Sequence, residues 1–383
     1  MTSRERVMTA MAHQEPDHVP LALNPHDNPP VPEAFRGEYA WADYWLSRGA
    51  DAWLNVHVPW RLREGTVLRT WEEQPPGERY PVVFGEYETP KGRLRHAVRK
   101  APGWPYGEGE IELLSDFNPP RAVEHPVKAE QDLEALEYLM DVPDGGMLER
   151  LRSQARKVRR DADERGVIVE GHCTTGGDSM AWLCGFDHMV YLAVDRPELI
   201  RRLLGIIHRN EMRRLEMMLD MGVVDIVVRR AWYESLRSVN PRIYREFLAP
   251  LIREEAVLAR QADAPYMYIC TADTMGLVPI WKEIGVDIVW GVDPVQGDAD
   301  LARLKAEAGE WLCFWGGMNA WVTLQRGSDA EIREAVETAV STLGPGGGFV
   351  LLPVDAIGPD VTPHALDVLV DAWKACGRYP LGR

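Results

Sequence analysis

From about residue 160 to the C-terminus, short runs of β-branched and apolar residues alternate with longer stretches of helical period. A chain patterned this way has few options, because strands joined by crossover helices pair in parallel and a parallel sheet needs cover on both faces. The runs are Val167 to Gly171, Val223 to Val228, Tyr266 to Cys270, Val286 to Trp290, Trp311 to Trp315 and Gly348 to Leu352, with two more upstream at Val19 to Leu23 and Asp51 to His57. Eight parallel strands is the count of a closed (β/α)₈ TIM-type barrel, which has no sheet edges and gathers its chemistry at the C-terminal strand ends. The expected fold is therefore α/β, one barrel domain over residues 1–383.

Helix starts between these strands are marked by their chemistry. Ser328 and Glu331 form a capping-box pattern, and Asn240-Pro241 and Thr362-Pro363 each set a capping side chain before a proline at the first helical position. One segment departs from the alternation. Residues 66–100 carry strand-type residues around Gln74-Pro-Pro-Gly77 and Thr89-Pro-Lys-Gly92, which predicts an antiparallel β-hairpin excursion beside the barrel mouth. The Gly-, Pro- and acid-rich stretch 101–120 reads as a surface loop.

Charge narrows the partners. The 383 residues carry 43 basic and 59 acidic side chains, a formal net charge of −16, so the overall field repels nucleic acid. No run approaches the roughly 18 to 20 apolar residues that span a bilayer, and the N-terminus lacks an apolar targeting core, so a cytoplasmic location off the membrane is expected. Five cysteines without CxxC spacing argue against a disulfide framework. The glycine run at 344–348 precedes a strand and reads as a tight turn, not a phosphate cradle.

Candidate functional residues are the polar side chains that close each strand. In chain order these are Asn24 and His26; His57, with Asn55 before it; His172; Arg229, Arg230, Trp232 and Tyr233; Tyr268 and Cys270; Asp293; Asn319; and Asp355. His57 and His172 suit general acid/base work or a structural hydrogen bond. Arg229 and Arg230 suit an anionic substrate group or a neighbouring acid. Cys270 and Asp355 are read as metal ligands or as groups that polarise the substrate directly, with Asp355 and Tyr268 also counted as catalytic. Asn24, His26, Trp232, Tyr233 and Asn319 are expected to line the substrate.

Several segments resemble the uroporphyrinogen decarboxylase superfamily, which includes methyl-corrinoid:coenzyme M methyltransferases. They are Arg4 to Pro20, Thr89 to Leu94, Pro126-Val-Lys128 with Asp132 to Leu136, Phe314 to Asn319, Gly346 to Phe349 and the closing Gly377-Arg-Tyr-Pro380. The resemblance implies a (β/α)₈ barrel with its cleft at the strand C-termini. It also shows departures. Decarboxylases of the family carry arginines after the first strand to hold tetrapyrrole carboxylates, whereas Leu21 to Asn28 contains none, and their next strand-end aspartate is replaced here by Asn55 or His57. The zinc methyltransferases use a His-x-Cys pair and a later Cys; the matching positions hold Tyr268, Cys270 and Asp355. Such a set implies either a divalent metal (Zn, or Fe or Mn given its oxygen donors) or no metal.

The resemblance implies an enzyme, most closely a methyltransferase that demethylates a small organic substrate with a thiol or a corrinoid protein as partner, in a homodimer. A decarboxylase or lyase acting on a tetrapyrrole or another carboxylated substrate is the alternative. A non-catalytic tetrapyrrole- or corrinoid-binding protein is the second.

Overall fold

The computed structural model describes residues 1–24 and 37–381. Among the described residues thirteen strands follow one another: β1 (Trp53–His57), β2 (Arg61–Leu62), β3 (Val67–Glu73), β4 (Val82–Thr89), β5 (Gly92–Arg99), β6 (Ala122–Glu124), β7 (Met140–Asp141), β8 (Ile168–Thr174), β9 (Ile226–Arg230), β10 (Tyr266–Ile269), β11 (Ile288–Val292), β12 (Cys313–Asn319) and β13 (Phe349–Val354). Seven of them, in the order β1-β8-β9-β10-β11-β12-β13, form one curled parallel sheet. Helices fill the crossovers, among them Gly145–Arg165, Pro197–Leu219, Ala249–Gln261, Asp329–Leu343 and Pro363–Cys376. The expected capping box at Ser328 and Glu331 and the caps at Asn240 and Thr362 are formed.

The sheet separates two apolar cores. Inside the curl lie Ile168, Ile226, Val228, Met267, Ile288, Trp290, Cys313, Trp315, Val350, Leu352 and Val354, with Val7 and Met11 of the Ser3–Met11 helix packed against them. Outside it, Leu54, Val56, Val169, Val227, Tyr266, Tyr268, Val289, Phe314, Phe349 and Leu351 pack in a larger core with side chains of the surrounding helices. The two sets alternate along the strands of this sheet, as the two-residue side-chain period requires, with a shift at the β11 irregularity between Trp290 and Val292. Orientation at a strand end is therefore set by parity.

The eighth strand expected at Val19 to Leu23 is a single bridge from Leu21 to Leu351 of β13, so the expected ring of eight is seven strands and a linking segment. Pro20 has no N–H to give a ladder, and the Leu21 N–H is taken by a side chain, Asp51 Oδ2 at 3.1 Å. Asp51 N in turn donates to the Leu21 carbonyl at 2.7 Å, just ahead of β1. The other Asp51 oxygen accepts from Arg6 Nη1 at 2.6 Å, and Arg6 also reaches Asp17 at 2.7 Å. One buried carboxylate thus ties the linking segment, β1 and the first helix.

The excursion is larger than a hairpin. Strands β3-β4-β5-β6 make a four-stranded antiparallel sheet, turning at the two Pro-Gly segments picked out in the sequence, with β6 added beyond residue 100. Val83, Val98 and Ile111 form a third, small core there, against which Trp104, Tyr106 and Phe117 of the following loop pack.

Removing one partner of a buried ion pair leaves the other charge uncompensated. Asp51→Ala is expected to cost about 3 kcal/mol in a urea melt, and Asp17→Ala, whose carboxylate is part-exposed, about 1 kcal/mol or less.

Candidate functional site at the strand ends

On β1 and β8 the residues that follow the inner core upward are Trp53, Asn55 and His57, and Ile168, Glu170 and His172. His57 and His172 stand directly opposite in the β1–β8 register, with ring centroids 5.1 Å apart. His172 Nε2 meets Glu170 Oε2 at 3.1 Å, two residues back on the same face. With the carboxylate accepting, Nε2 carries the hydrogen and Nδ1 keeps its lone pair, the arrangement in which an acid orients an imidazole base. Among the described residues His57 has no such partner. Water reaches its ring, yet protein encloses most of it, and that desolvation together with the charge of His172 pushes its pKa down to about 4. His57 is a neutral imidazole beside an oriented one. Glu38 accepts the Asn55 N–H at the edge of this pair, and burial raises its carboxyl above the usual range. Asn55, His57 and Glu38 share a cavity of about 350 Å³ that runs under the Gly145–Arg165 helix.

Arg230 carries the positive charge of the hollow. It follows Ile226 and Val228 on the inner face of β9, its guanidinium lies over the Trp182 ring at 5.0 Å, and Nη2 pairs with Asp116 at 2.9 Å. Asp178, fully buried, lies 3.6 Å from Nη1 and accepts the backbone N–H groups of Tyr233 (2.9 Å) and Trp232 (3.2 Å). Burial and the nearby charge of Glu234 lift Asp178 to about 8 against the pull of Arg230, so at neutral pH it is largely protonated. The Tyr233 hydroxyl donates to Asp116 at 2.5 Å, and the Trp232 ring meets Trp290 edge-on at 5.5 Å.

Three expected site residues face the other way. Arg229 is fully buried outside the sheet, bonded to Glu234 (2.5 and 3.0 Å) and Glu255 (2.6 Å). Against the cost of burial, Arg229 and His208 hold the Glu255 carboxyl low, at about 2. Tyr268 donates to Glu234 at 2.8 Å and accepts from the Tyr244 hydroxyl at 3.0 Å, also fully buried. Cys270 continues that outer row: its thiol donates to the Ala272 carbonyl at 3.3 Å, and burial pushes its pKa up to about 12. Parity is the reason in each case. Arg229, Tyr268 and Cys270 are packing and positioning groups, not substrate contacts.

The remaining candidates divide. Asn319 is buried and committed: its amide donates to Asp293 (2.6 Å) and Gln296 (2.9 Å), and its oxygen caps Val322 N. Asp355, at the end of β13, is part-exposed with φ +72°, a conformation side chains other than glycine adopt only under local constraint. It has no hydrogen-bond partner among the described residues, and burial plus the Asp293 charge raise its carboxyl. The backbone carbonyl of Asn24 accepts the Ile357 N–H at 2.9 Å, beside the Asp355 loop. His26 lies outside the described residues.

Of the two expected metal ligands, Cys270 is fully buried in the outer row, whereas Asp355 is part-exposed just past the end of β13. Among the described residues no three His, Cys, Asp or Glu side chains stand where one ion could be held.

Sequence reasoning missed Glu170, Asp178, Asp116 and Trp182. Glu170 was findable, since a carboxylate two residues before a strand-end histidine shares its face. Asp116 was not, because it arrives from a loop more than a hundred residues away in the chain.

The two adjacent arginines give a direct contrast. Arg229→Gln is expected to lower unfolding free energy by about 3 to 5 kcal/mol by orphaning buried Glu234 and Glu255, whereas Arg230→Gln is expected to change it by about 1 kcal/mol or less, both read from urea midpoints.

No curated protein matches by sequence. In structure the chain is similar to a methyltransferase from Methanosarcina mazei, with a TM-score of 0.62 at 15% identity over 98% of this chain and 99% of that one. It also matches D-psicose 3-epimerase from Clostridium cellulolyticum H10 at a TM-score of 0.36 and 12% identity, over 58% of this chain and 81% of that one. The family model for uroporphyrinogen decarboxylase (URO-D) matches residues 111–376, from the loop that carries Asp116 to the end of the last helix, and the chain belongs to that family.

Proposed function

We propose that the protein is a methyltransferase that moves a methyl group onto a small thiol or hydroxyl substrate bound in the strand-end hollow. The charge of that hollow carries the reading. Glu170 and Asp116 line it, and Asp293 and Asp355 stand just past the ends of β11 and β13, against the inward arginine Arg230. A macrocycle bearing many carboxylates meets repulsion there, while a small substrate with one anionic group finds one anchor. The structural likeness to a methyltransferase, nearly end to end, agrees with this and speaks to the fold.

In the mechanism, Arg230 orients the substrate and Trp182, Trp232 and Trp290 form apolar walls. His172 Nδ1 takes the proton from the substrate S–H or O–H, and Glu170 stabilises the imidazolium that results. The sulfur or oxygen anion then forms a bond to the methyl carbon as the bond to the methyl donor breaks, its electron pair leaving with the donor. Neutral His57 accepts a hydrogen bond at the same place without competing for the proton. A corrinoid on a partner protein, when docked, would supply the methyl group as an electrophile. No step runs through a metal ion, since the described donors do not gather around one point.

One observation favours a second reading. Asp355, part-exposed, unpartnered among the described residues and raised in pKa, is suited to deliver a proton to a substrate carbon after loss of carbon dioxide, as a lyase requires.

The test is methylcobalamin with a panel of thiols, followed by the visible spectrum of the cobalt. The expected result is demethylation with a kcat about 10²- to 10⁴-fold lower in His172→Gln and Glu170→Gln. No demethylation, together with carboxylate turnover lost in Asp355→Asn, contradicts the methyl-transfer reading and supports the lyase.

A further inference from the structure

The anionic anchor of the hollow is already occupied by the chain itself. Asp116 places one oxygen 2.9 Å from Arg230 Nη2 and the other 2.5 Å from the Tyr233 hydroxyl, so both ends of the carboxylate are held at the end of β9. We propose that Asp116 is an internal stand-in for the substrate: a carboxylate ligand takes its place on Arg230 and Tyr233, and the loop carrying Asp116 lets go of the hollow as the ligand enters. This rests on the reading of Arg230 as the substrate anchor and deepens it by naming the ligand group and the device that guards it.

Four observations carry the proposal. Asp116 is 48% exposed and Arg230 26% exposed, so the pair lies at the water boundary where such contacts exchange readily. The guanidinium itself is held in place, by the Trp182 ring at 5.0 Å and buried Asp178 at 3.6 Å, so it stays in position when its partner changes. Asp116 is the carboxylate in hydrogen-bond contact with Arg230, at 2.9 Å against 3.6 Å for Asp178, whose carboxyl burial raises, so its departure leaves a charge for an incoming anion to meet. Finally, Asp116 stands on the loop that follows the antiparallel sheet, outside the strands and helices of the parallel sheet. The next residue, Phe117, packs edge-on against Trp104 and Tyr106, and Asn118 is fixed to the Tyr106 hydroxyl and the Glu112 carbonyl. That cluster belongs to the antiparallel sheet, so Asp116 can swing away while its base remains packed.

A carboxylate also matches the geometry better than a larger anion, because the place it fills was made by one. The same geometry gives selectivity: a neutral analogue must displace an ionised carboxylate without replacing its charge.

The experiment measures binding of 3-phenylpropionate, with 3-phenylpropionamide as the neutral control, by calorimetry and tryptophan fluorescence. Asp116→Asn is expected to bind the carboxylate about fivefold tighter than the wild type. Tyr233→Phe, which removes the second hold on Asp116 but also one donor to the ligand, is expected to tighten it by about twofold or less. The amide binds more weakly than the carboxylate in each of these proteins, and Arg230→Gln abolishes carboxylate binding in every background. If Asp116→Asn binds no tighter while Arg230→Gln still abolishes binding, the stand-in is wrong and the anchor stands. If Arg230→Gln binds like the wild type, or Asp116→Asn binds no carboxylate at all, the anchor falls and the stand-in with it.

Discussion

Neighbouring residues on a strand face opposite sides of the sheet, and in this protein that alternation decides which charged groups do chemistry. Arg229 and Arg230 differ by one position. Arg229 is sealed among helices with Glu234 and Glu255, whereas Arg230 faces the hollow beside Trp182. A slip of one residue in β9 would exchange them, placing a solvated anchor in an apolar core and leaving two buried glutamates without a cation. The same rule sends His57, Glu170 and His172 inward and Tyr268 and Cys270 outward.

The two sides are nevertheless joined mechanically. Glu234 accepts the Gly177 N–H at 2.6 Å, and Glu211 accepts those of Thr175 and Gly176, so carboxylates of the outer core hold the first turn of the helix Gly176–Cys184. Gly176 has φ +34°, and a Cβ there would lie 1.8 Å from Arg229 Nη2, so only glycine lets the turn approach the buried charge. That helix carries Asp178 and Trp182 to Arg230. The outer ionic cluster is therefore a support for the anchor, transmitted through one turn of backbone.

Much of the architecture was legible, because seven apolar runs separated by capped helical stretches leave little freedom to a chain. The eighth run was legible as apolar but not as reduced to one bridge, since the competitor for the Leu21 N–H is a side chain thirty residues on. Parity was the main thing hidden. Where one face of a sheet is wet, alternation of polar and apolar residues reveals which side is which, but here both faces are apolar and Val-Val-Arg-Arg reads the same in either register. That is why Cys270 resembled a ligand by analogy and is a packed thiol in place. His172 was recognised, whereas Glu170, which gives it direction, passed as part of a buried strand.

The account depends on β1 and β8 turning their final histidines into one hollow. NMR titration of histidine ¹⁵N resonances tests this directly. His57 should lose its neutral form only near pH 4, held down by burial and by its neighbour's charge, and its midpoint should rise in His172→Gln. A His57 that titrates at its ordinary value of about 6.5 and ignores the His172 substitution would contradict the shared hollow, and with it the assignment of inward and outward roles.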